Sequence, residues 1–349
     1  MLDQSEIVSY LLSLGVVKAR DAVADHLSVV DASRRNSVFV VASRGRPTYV
    51  VKQAHRDIAS GLEHEAVVLR MLARSEIAAS VPVVVDHDAR AGCLVLRAPG
   101  GTPDWTKYHA RGRFPTTTAR ALGRMLATLH TDRGPIAEVQ SGEDRMWGLS
   151  FPEPPYELVL GMSAQARELL ALVQATPDVC ERLLTLRDDV IADAFVHGDL
   201  RWDNCLAVSP PGGRRRTRVV VIDWEVAGRG SAALDLGTAI GEYVSAWVTS
   251  IPITAPDDPG RCIALATTPI ERMRPAVHAL CAGYRAAGGE LPPVRRAMEM
   301  TAVRLLQTAV ERANALNAPP AHLRTLLNVA AAILREPEGM ALSLLRLAR

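Results

Sequence analysis

This chain of 349 residues lacks the cysteine spacings that organise small secreted or metal-stapled domains. Its five cysteines (Cys93, Cys180, Cys205, Cys262 and Cys281) are odd in number and scattered, with no CxxC pair and no Cys/His ligand spacing. A disulfide framework and a zinc site are thereby set aside, and reduced thiols in a cytoplasm are the expectation. Charge of one sign is also missing: 40 basic against 38 acidic residues leave a formal net charge of only +2. That balance argues against wholesale binding to nucleic acid or to a membrane surface. No apolar run approaches a membrane span. The opening MLDQSEIVSYLLSLG carries early acids and no basic segment, so it does not read as a secretion signal. Neither an internal repeat nor a low-complexity tract is found.

What is present suits a folded protein with a sizeable core, at 48% hydrophobic and 22% charged residues. The length exceeds one small core, so two lobes are expected. Residues 3–18 read as a short amphipathic helix with Asp3 and Ser5 as cap candidates. HLSVVD, NSVFVVAS and TYVVKQA read as strands, the last two joined by the turn RGRP, which predicts an antiparallel sheet. GLEHEAVVLRMLARS has helical spacing, VPVVVDHD and CLVLRAP read as further strands, and APGGTP breaks the pattern as a hinge. TTTARALGRMLATLH is expected to be a helix capped by its threonines, residues 132–160 an irregular connection, and residues 161–191 helical again. After residue 235 the chain reads as helical apart from a proline-rich break at 251–260. The fold class is α+β, with a lobe at 1–97, a hinge at 98–101 and a mainly helical lobe at 102–349.

The chemistry concentrates in FVHGDLRWDNCL, residues 195–206, where a histidine, two carboxylates, an arginine and an amide sit between apolar ends. Such groups are costly near a dry interior unless each has a partner, so the stretch is either a satisfied turn or a reaction site. His197, Gly198 and Asp199, with Asn204 five residues after the aspartate, resemble the catalytic loop of protein-kinase-like enzymes. The His-Gly-Asp form is similar to the aminoglycoside phosphotransferase branch. VVVIDWE resembles the strand ending in that family's metal-binding aspartate, here Asp223, and AGRGSAALDLG resembles its following segment, with Ser231 where aspartate is common and Asp235 retained.

This resemblance implies a two-lobe protein-kinase-like fold, ATP and Mg²⁺ as cofactors, and phosphoryl transfer to a hydroxyl. It implies that Asp199 orients the acceptor, His197 braces the loop, and Asn204 and Asp223 hold Mg²⁺ once CLAV and RVVVID pair as a hairpin. Magnesium prefers oxygen ligands and takes few from protein, which suits one amide and one carboxylate. Lys52 in YVVKQA falls where a kinase-like lysine meets the α- and β-phosphates. Glu65 in HEAVVLR, rather than Glu63, matches the helix glutamate paired with it. No GxGxxG is present; the loop Ser33–Ser37 takes its place, with backbone amides and Ser37 as phosphate contacts.

Taken singly, several of these residues have plainer readings. Lys52 could be a solvated strand lysine, and Glu65 an exposed helix acid. Arg214, Arg215 and Arg216 read as a solvated hairpin tip, Trp202 and Trp224 as core, His130 as structural and Cys205 as a small buried residue. For the acceptor, residues 236–349 hold nine acids against twelve arginines, the wrong balance for trapping a polycationic aminoglycoside. HGDLRWDNCL and the ending LLNVAAAILREPEGMALSLL resemble the phosphotransferase-like kinases of thioamide and class V lanthipeptide pathways. That likeness implies a Ser or Thr acceptor on a precursor peptide, with a separate lyase partner eliminating the phosphate. A small-molecule antibiotic kinase and a non-catalytic pseudokinase that binds a peptide or protein are the alternatives. Retention of Lys52, Asp199, Asn204 and Asp223 speaks against the pseudokinase.

Overall fold

The structure, a computed structural model, describes residues 2–24, 27–33, 37–54, 59–100, 104–140, 146–189, 191–208, 218–252, 262–316, 318 and 320–347. The order begins α1 (Ile7–Ser13), α2 (Ala19–Ala24), β1 (Ser28–Asp31), β2 (Ser37–Ser43), β3 (Arg46–Gln53), α3 (Ala59–Leu72), β4 (Val83–Asp88) and β5 (Cys93–Arg97). It continues through α4 (Trp105–His109), α5 (Thr116–Thr131), α6 (Tyr156–Leu160), α7 (Ala164–Gln174), α8 (Pro177–Asp188), β6 (Ala194–Val196), β7 (Cys205–Val208), β8 (Arg218–Val221) and β9 (Gly228–Gly230). The helices α9 (Ala232–Thr249), α10 (Arg274–Ala286), α11 (Val294–Asn314), α12 (Pro320–Arg335) and α13 (Pro337–Met340) complete the chain. An antiparallel sheet followed by a helix-rich part is the α+β arrangement expected.

Strands β1–β5 form one sheet in the order β1-β2-β3-β5-β4, with every neighbour antiparallel. Arg44 and Gly45 both take positive φ between β2 and β3, the backbone a tight hairpin with right-handed strand twist requires. Side chains alternate across the sheet. Phe39, Val41, Val51 and Val95 point to one face and bury Ile7 and Leu11 of α1. Leu94 and Leu96 point to the other, where Leu69 and Leu72 of α3 join the large core that runs into the helical part. The sheet thus divides two cores, and the larger passes beneath it.

Two sequence expectations need correction. The first helix spans Ile7–Ser13, not 3–18. The Asp3 carboxylate accepts the N–H groups of Ser5 and Glu6 at 2.8 and 3.2 Å, which makes a turn before the helix, and Gly15 at φ +67° closes the other end. Helix α5 has Pro115 at its N-cap with no capping side chain; Thr118 Oγ1 instead donates to the Pro115 carbonyl at 2.9 Å. Its threonines are helix members, not caps. Arg214, Arg215 and Arg216, and the proline-rich break from residue 253 onward, lie outside the described residues.

Helices α5 and α10 cross closely enough that a Cβ on Gly283 would stand 2.2 Å from the Arg120 carbonyl oxygen, and one on Gly123 2.0 Å from that of Leu280. Helix α9 lies against α11, where a Cβ on Gly237 would meet Met300 Cβ at 2.5 Å. On this framework sit two small ribbons, β6 with β9 and β7 with β8. They carry the stretch 197–204 and Asp223.

Candidate active site

Three side chains far apart in sequence converge under the sheet. Lys52 is buried on β3, and its Nζ donates to Glu65 Oε1 and Oε2 at 2.9 and 2.8 Å and to Asp223 Oδ1 at 2.7 Å. Glu65 is fully buried and also accepts the Trp224 N–H at 3.3 Å, whereas Glu63 is exposed. Burial disfavours the Lys52 charge, but the two carboxylates outweigh it and hold the ammonium above the usual lysine range. Burial likewise pushes the Asp223 carboxyl up, and Lys52 more than reverses that, leaving it below the ordinary aspartate range.

Asp223 stands at φ +70°, a region that costs a non-glycine residue on the order of 1 kcal/mol or more. Its neighbours fix it there. The Ile222 N–H donates to the Asn204 carbonyl at 2.9 Å, and His197 Nε2–H donates to the Ile222 carbonyl at 3.0 Å. The other ring nitrogen, Nδ1, accepts the Asp199 N–H at 3.2 Å, so His197 spans both halves of the site and is itself fully buried.

Gly198 supplies the positive φ, +86°, that turns two successive N–H groups onto one carboxylate. His197 N and Gly198 N donate to Asp235 Oδ2 and Oδ1 at 2.8 and 2.9 Å. Asp235, buried on α9, is held in turn by His130 at 3.1 Å, whose other nitrogen meets the Tyr284 hydroxyl at 3.0 Å. Burial raises the Asp235 carboxyl and these hydrogen bonds bring it below its usual range. Ser231, where the family pattern favours aspartate, caps α9 by accepting the Ala233 N–H at 3.4 Å.

Asn204 Nδ2 donates to the Asp199 carbonyl and carboxylate at 2.9 and 3.2 Å, which turns its amide oxygen away from that loop. About a third of the Asp199 side chain is open to solvent; its partial burial raises the carboxyl above the ordinary aspartate range, opposed first by Arg201, whose Nε lies 3.4 Å away. Cys205 is buried beside the loop and its thiol is pushed up by that burial, which suits packing and not nucleophilic attack.

The model of the APH phosphotransferase enzyme family matches residues 26–276, well over half of the chain. The chain belongs to this phosphotransferase enzyme family. Solved structures share the fold at low identity. A choline kinase from Cryptosporidium parvum superposes with a TM-score of 0.58 at 13% identity, covering 99% of both chains. A macrolide 2′-phosphotransferase from Brachybacterium faecium gives 0.50 at 20% identity, over 95% of this chain and 99% of its own. A choline kinase from Streptococcus pneumoniae gives 0.50 at 15% identity, over 93% and 99%. No curated protein sequence matches the chain.

Of the residues singled out from this phosphotransferase's sequence, Lys52, Glu65 and Asp223 touch one another, and His197, Asp199 and Asn204 form a second connected group. Hydrogen bonds through Ile222 join the two. Ser37 does not join them. It pairs with Gln53, one register position from the Val38–Lys52 pair, so its side chain takes the sheet face opposite Lys52. The hydroxyl expected to meet phosphate therefore points toward the α1 side. Ser33 Oγ accepts the Val38 N–H at 3.0 Å, and residues 34–36 of that loop lie outside the described residues.

Asn204 and Asp223 pair an amide oxygen with a carboxylate, a hard-oxygen donor set that fits magnesium. The Asp223 side chain is 32% exposed, so its remaining oxygen can face a nucleotide.

Beside Asp199 opens a cavity of about 580 Å³ that sequence reasoning missed. The aromatic residues His109, Phe114 and Trp202 form one wall, and Glu242, Arg304 and Glu311 form another. Arg304 makes paired 2.9 Å bonds to both Glu311 oxygens and lies 3.4 Å from Glu242. Arg201 links Asp199 to this wall, standing 3.2 Å from Asp203 and 3.5 Å from Glu311. The available signal was the polar series Arg304, Thr308, Glu311 and Arg312 at helical spacing within the mostly buried α11. No helix among the described residues is long and apolar enough to cross a membrane.

Proposed function

We propose that the chain transfers the γ-phosphoryl group of ATP to an acceptor hydroxyl bound in the cavity beside Asp199. The observation that carries this is the convergence of Lys52, Glu65 and Asp223 within 2.7–2.9 Å, joined through His197 to the loop bearing Asp199 and Asn204. Asp199 orients the hydroxyl and takes its proton as the acceptor oxygen–phosphorus bond forms and the bond to the β-phosphate oxygen breaks, releasing ADP. Its raised pKa suits a group that must accept a proton late in transfer. Glu65 keeps Lys52 charged and aimed at the α- and β-phosphates. Asn204 and Asp223 would hold Mg²⁺, which when bound neutralises phosphate charge. Asp235 fixes the loop backbone through two N–H groups, so that Asp199 is preorganised.

For the acceptor, we put forward the hydroxyl of a Ser or Thr in a ribosomal natural-product precursor peptide, acted on afterwards by a partner lyase. The support is the likeness of HGDLRWDNCL and the C-terminal segment to kinases of that kind. A small hydroxylated molecule is the second reading. It is supported by a cavity volume within the range of small-molecule sites and by neighbours named for macrolide and choline.

The test is incubation of the chain with ATP, Mg²⁺ and each acceptor type, reading phosphate on the product by mass spectrometry. Asp199→Asn is expected to slow transfer roughly 10²- to 10⁴-fold, and Asp223→Ala by at least about a hundredfold. Full-rate transfer by Asp223→Ala would sink the metal assignment. A chain that binds the peptide but never phosphorylates any acceptor would be the pseudokinase.

A further inference from the structure

The cavity beside Asp199 has three arginines and three acids on its walls, but they are not evenly matched. Glu311 is taken by Arg304 and Arg201, Glu242 by Arg304 and the Trp202 N–H at 3.1 Å, and Asp203 by Arg201. Every wall carboxylate therefore already has a cationic partner. Arg312 also lines the cavity and is partly buried, yet it makes no hydrogen bond or ion pair among the described residues. Glu242 and Glu311 attract it only from beyond ion-pair distance and burial outweighs that attraction, so a directly bonded anion would stabilise it.

A second observation points to a ligand in the same space. His109 Nδ1, Trp202 Nε1 and Ser245 Oγ are buried polar atoms with no hydrogen-bond partner, on residues only 4%, 7% and 3% exposed that line this cavity. Native structures seldom leave such groups unsatisfied, and here all three belong to residues that line the same space. Burial holds the His109 imidazole down to about 4, so at neutral pH it is an uncharged hydrogen-bonding group.

From this geometry we infer that the acceptor is an alcohol bearing a carboxylate or phosphate, with Arg312 binding that anion while Trp202, His109 and Ser245 receive the body between anion and hydroxyl. This rests on the phosphotransferase reading above and names the substrate class of the same site. Arg312 lies eight residues, about 12 Å along the α11 axis, beyond Arg304. Arg304 in turn lies within electrostatic range of Asp199. The anion and the reacting hydroxyl are accordingly separated by a distance on the order of 10 Å. A polycationic or quaternary ammonium acceptor would meet carboxylates that are already paired and a cation that is not.

The anion could belong to a free hydroxy acid or to an acidic side chain in a peptide, and the experiment separates the two. Medium-chain ω-hydroxyalkanoates are compared with their primary amides, and acetyl-Ser-Ala-Ala-Glu-amide with its Gln counterpart; choline and kanamycin are the cationic probes. Transfer from ATP is followed by mass spectrometry, and binding without nucleotide by calorimetry. The acid member of at least one pair is expected to exceed its neutral partner about ten- to a hundredfold in kcat/KM and in affinity, the effect of one charge-assisted pair. Arg312→Gln should bring that ratio within about twofold, Arg312→Lys should leave it intermediate, and the exposed Arg324→Gln should not change it. Equal use of acid and neutral members, an unchanged ratio in Arg312→Gln, or preference for choline or kanamycin overturns the inference. Acid-selective binding lost in Arg312→Gln without any transfer would sustain it while removing the phosphotransfer reading. Transfer without charge preference would do the reverse.

Discussion

Replacing Lys52 by methionine tests whether the Lys52–Glu65 contact is an energetic unit or two groups that happen to meet. In Lys52→Met, Glu65 stays fully buried and, among the described residues, keeps the Trp224 N–H at 3.3 Å as its one hydrogen-bond partner. Breaking a buried pair in this way costs about 3–5 kcal/mol. Asp223, 32% exposed, regains water and adds little. Glu65→Gln is milder, because Lys52 keeps Asp223 at 2.7 Å, and should cost about 1.5–3 kcal/mol. The double variant leaves no fully buried charge uncompensated, since Asp223 is 32% exposed. It should be more stable than the sum of the single losses allows, with a coupling of about 2 kcal/mol or more. For a chain of 349 residues, the usual unfolding entropy per residue converts the Lys52→Met loss into a fall in Tm of about 4–7 °C. Urea and thermal unfolding at pH 7, followed by circular dichroism without nucleotide, measures all three variants apart from catalysis. Additivity within about 0.5 kcal/mol, or a Lys52→Met variant within about 1 kcal/mol of the parent, would refute the reasoning.

Arg201 is the foremost charge restraining the raised Asp199 carboxyl. Because a base in the role proposed for Asp199 must be deprotonated to act, Arg201→Gln should move the acid limb of kcat/KM to higher pH; a limb that stays put or moves down in a pH–rate profile contradicts this. Gly283→Ala puts a methyl group 2.2 Å from the Arg120 carbonyl oxygen, forcing α5 and α10 apart. A loss of about 1–3 kcal/mol is expected in the urea midpoint, and an unchanged midpoint would mean the helices yield freely.

Much of the candidate site's grouping was legible because its residues lie in short linear stretches. His197 to Asn204 occupy eight consecutive positions, and Asp223 follows at the end of a hairpin whose pairing the apolar strands announce. Lys52 and Glu65 were picked out by the resemblance of their strand and helix to the family's lysine and glutamate pattern. Ser37 shows the limit of that reasoning. Its segment was identified, but a strand turns alternate side chains to opposite faces, and only the register against Gln53 tells which face Ser37 takes. The cavity was illegible for a different reason. His109, Glu242 and Arg304 come from three helices, the nearer two of these residues 62 positions apart, and nothing local marks them as neighbours. The sequence of α11 shows Arg304 and Glu311 seven residues apart, but not that Glu242 of α9 lies beside Arg304.

Helix α9 ties two tasks to one rigid rod. Asp235 near its start anchors the backbone of the catalytic loop, and Glu242, two turns along, forms part of the cavity wall and holds the Trp202 N–H. Any change that tilts this helix to admit a different acceptor also drags the anchor of Asp199. Diversification of acceptor choice is therefore channelled to Thr308, Arg312 and Ala315 on α11, which make no hydrogen bond to the loop among the described residues, whereas Glu311 between them is tied to Arg201. Among descendants of this scaffold, substitutions that retune the acceptor should accumulate on α11 while α9 stays constant.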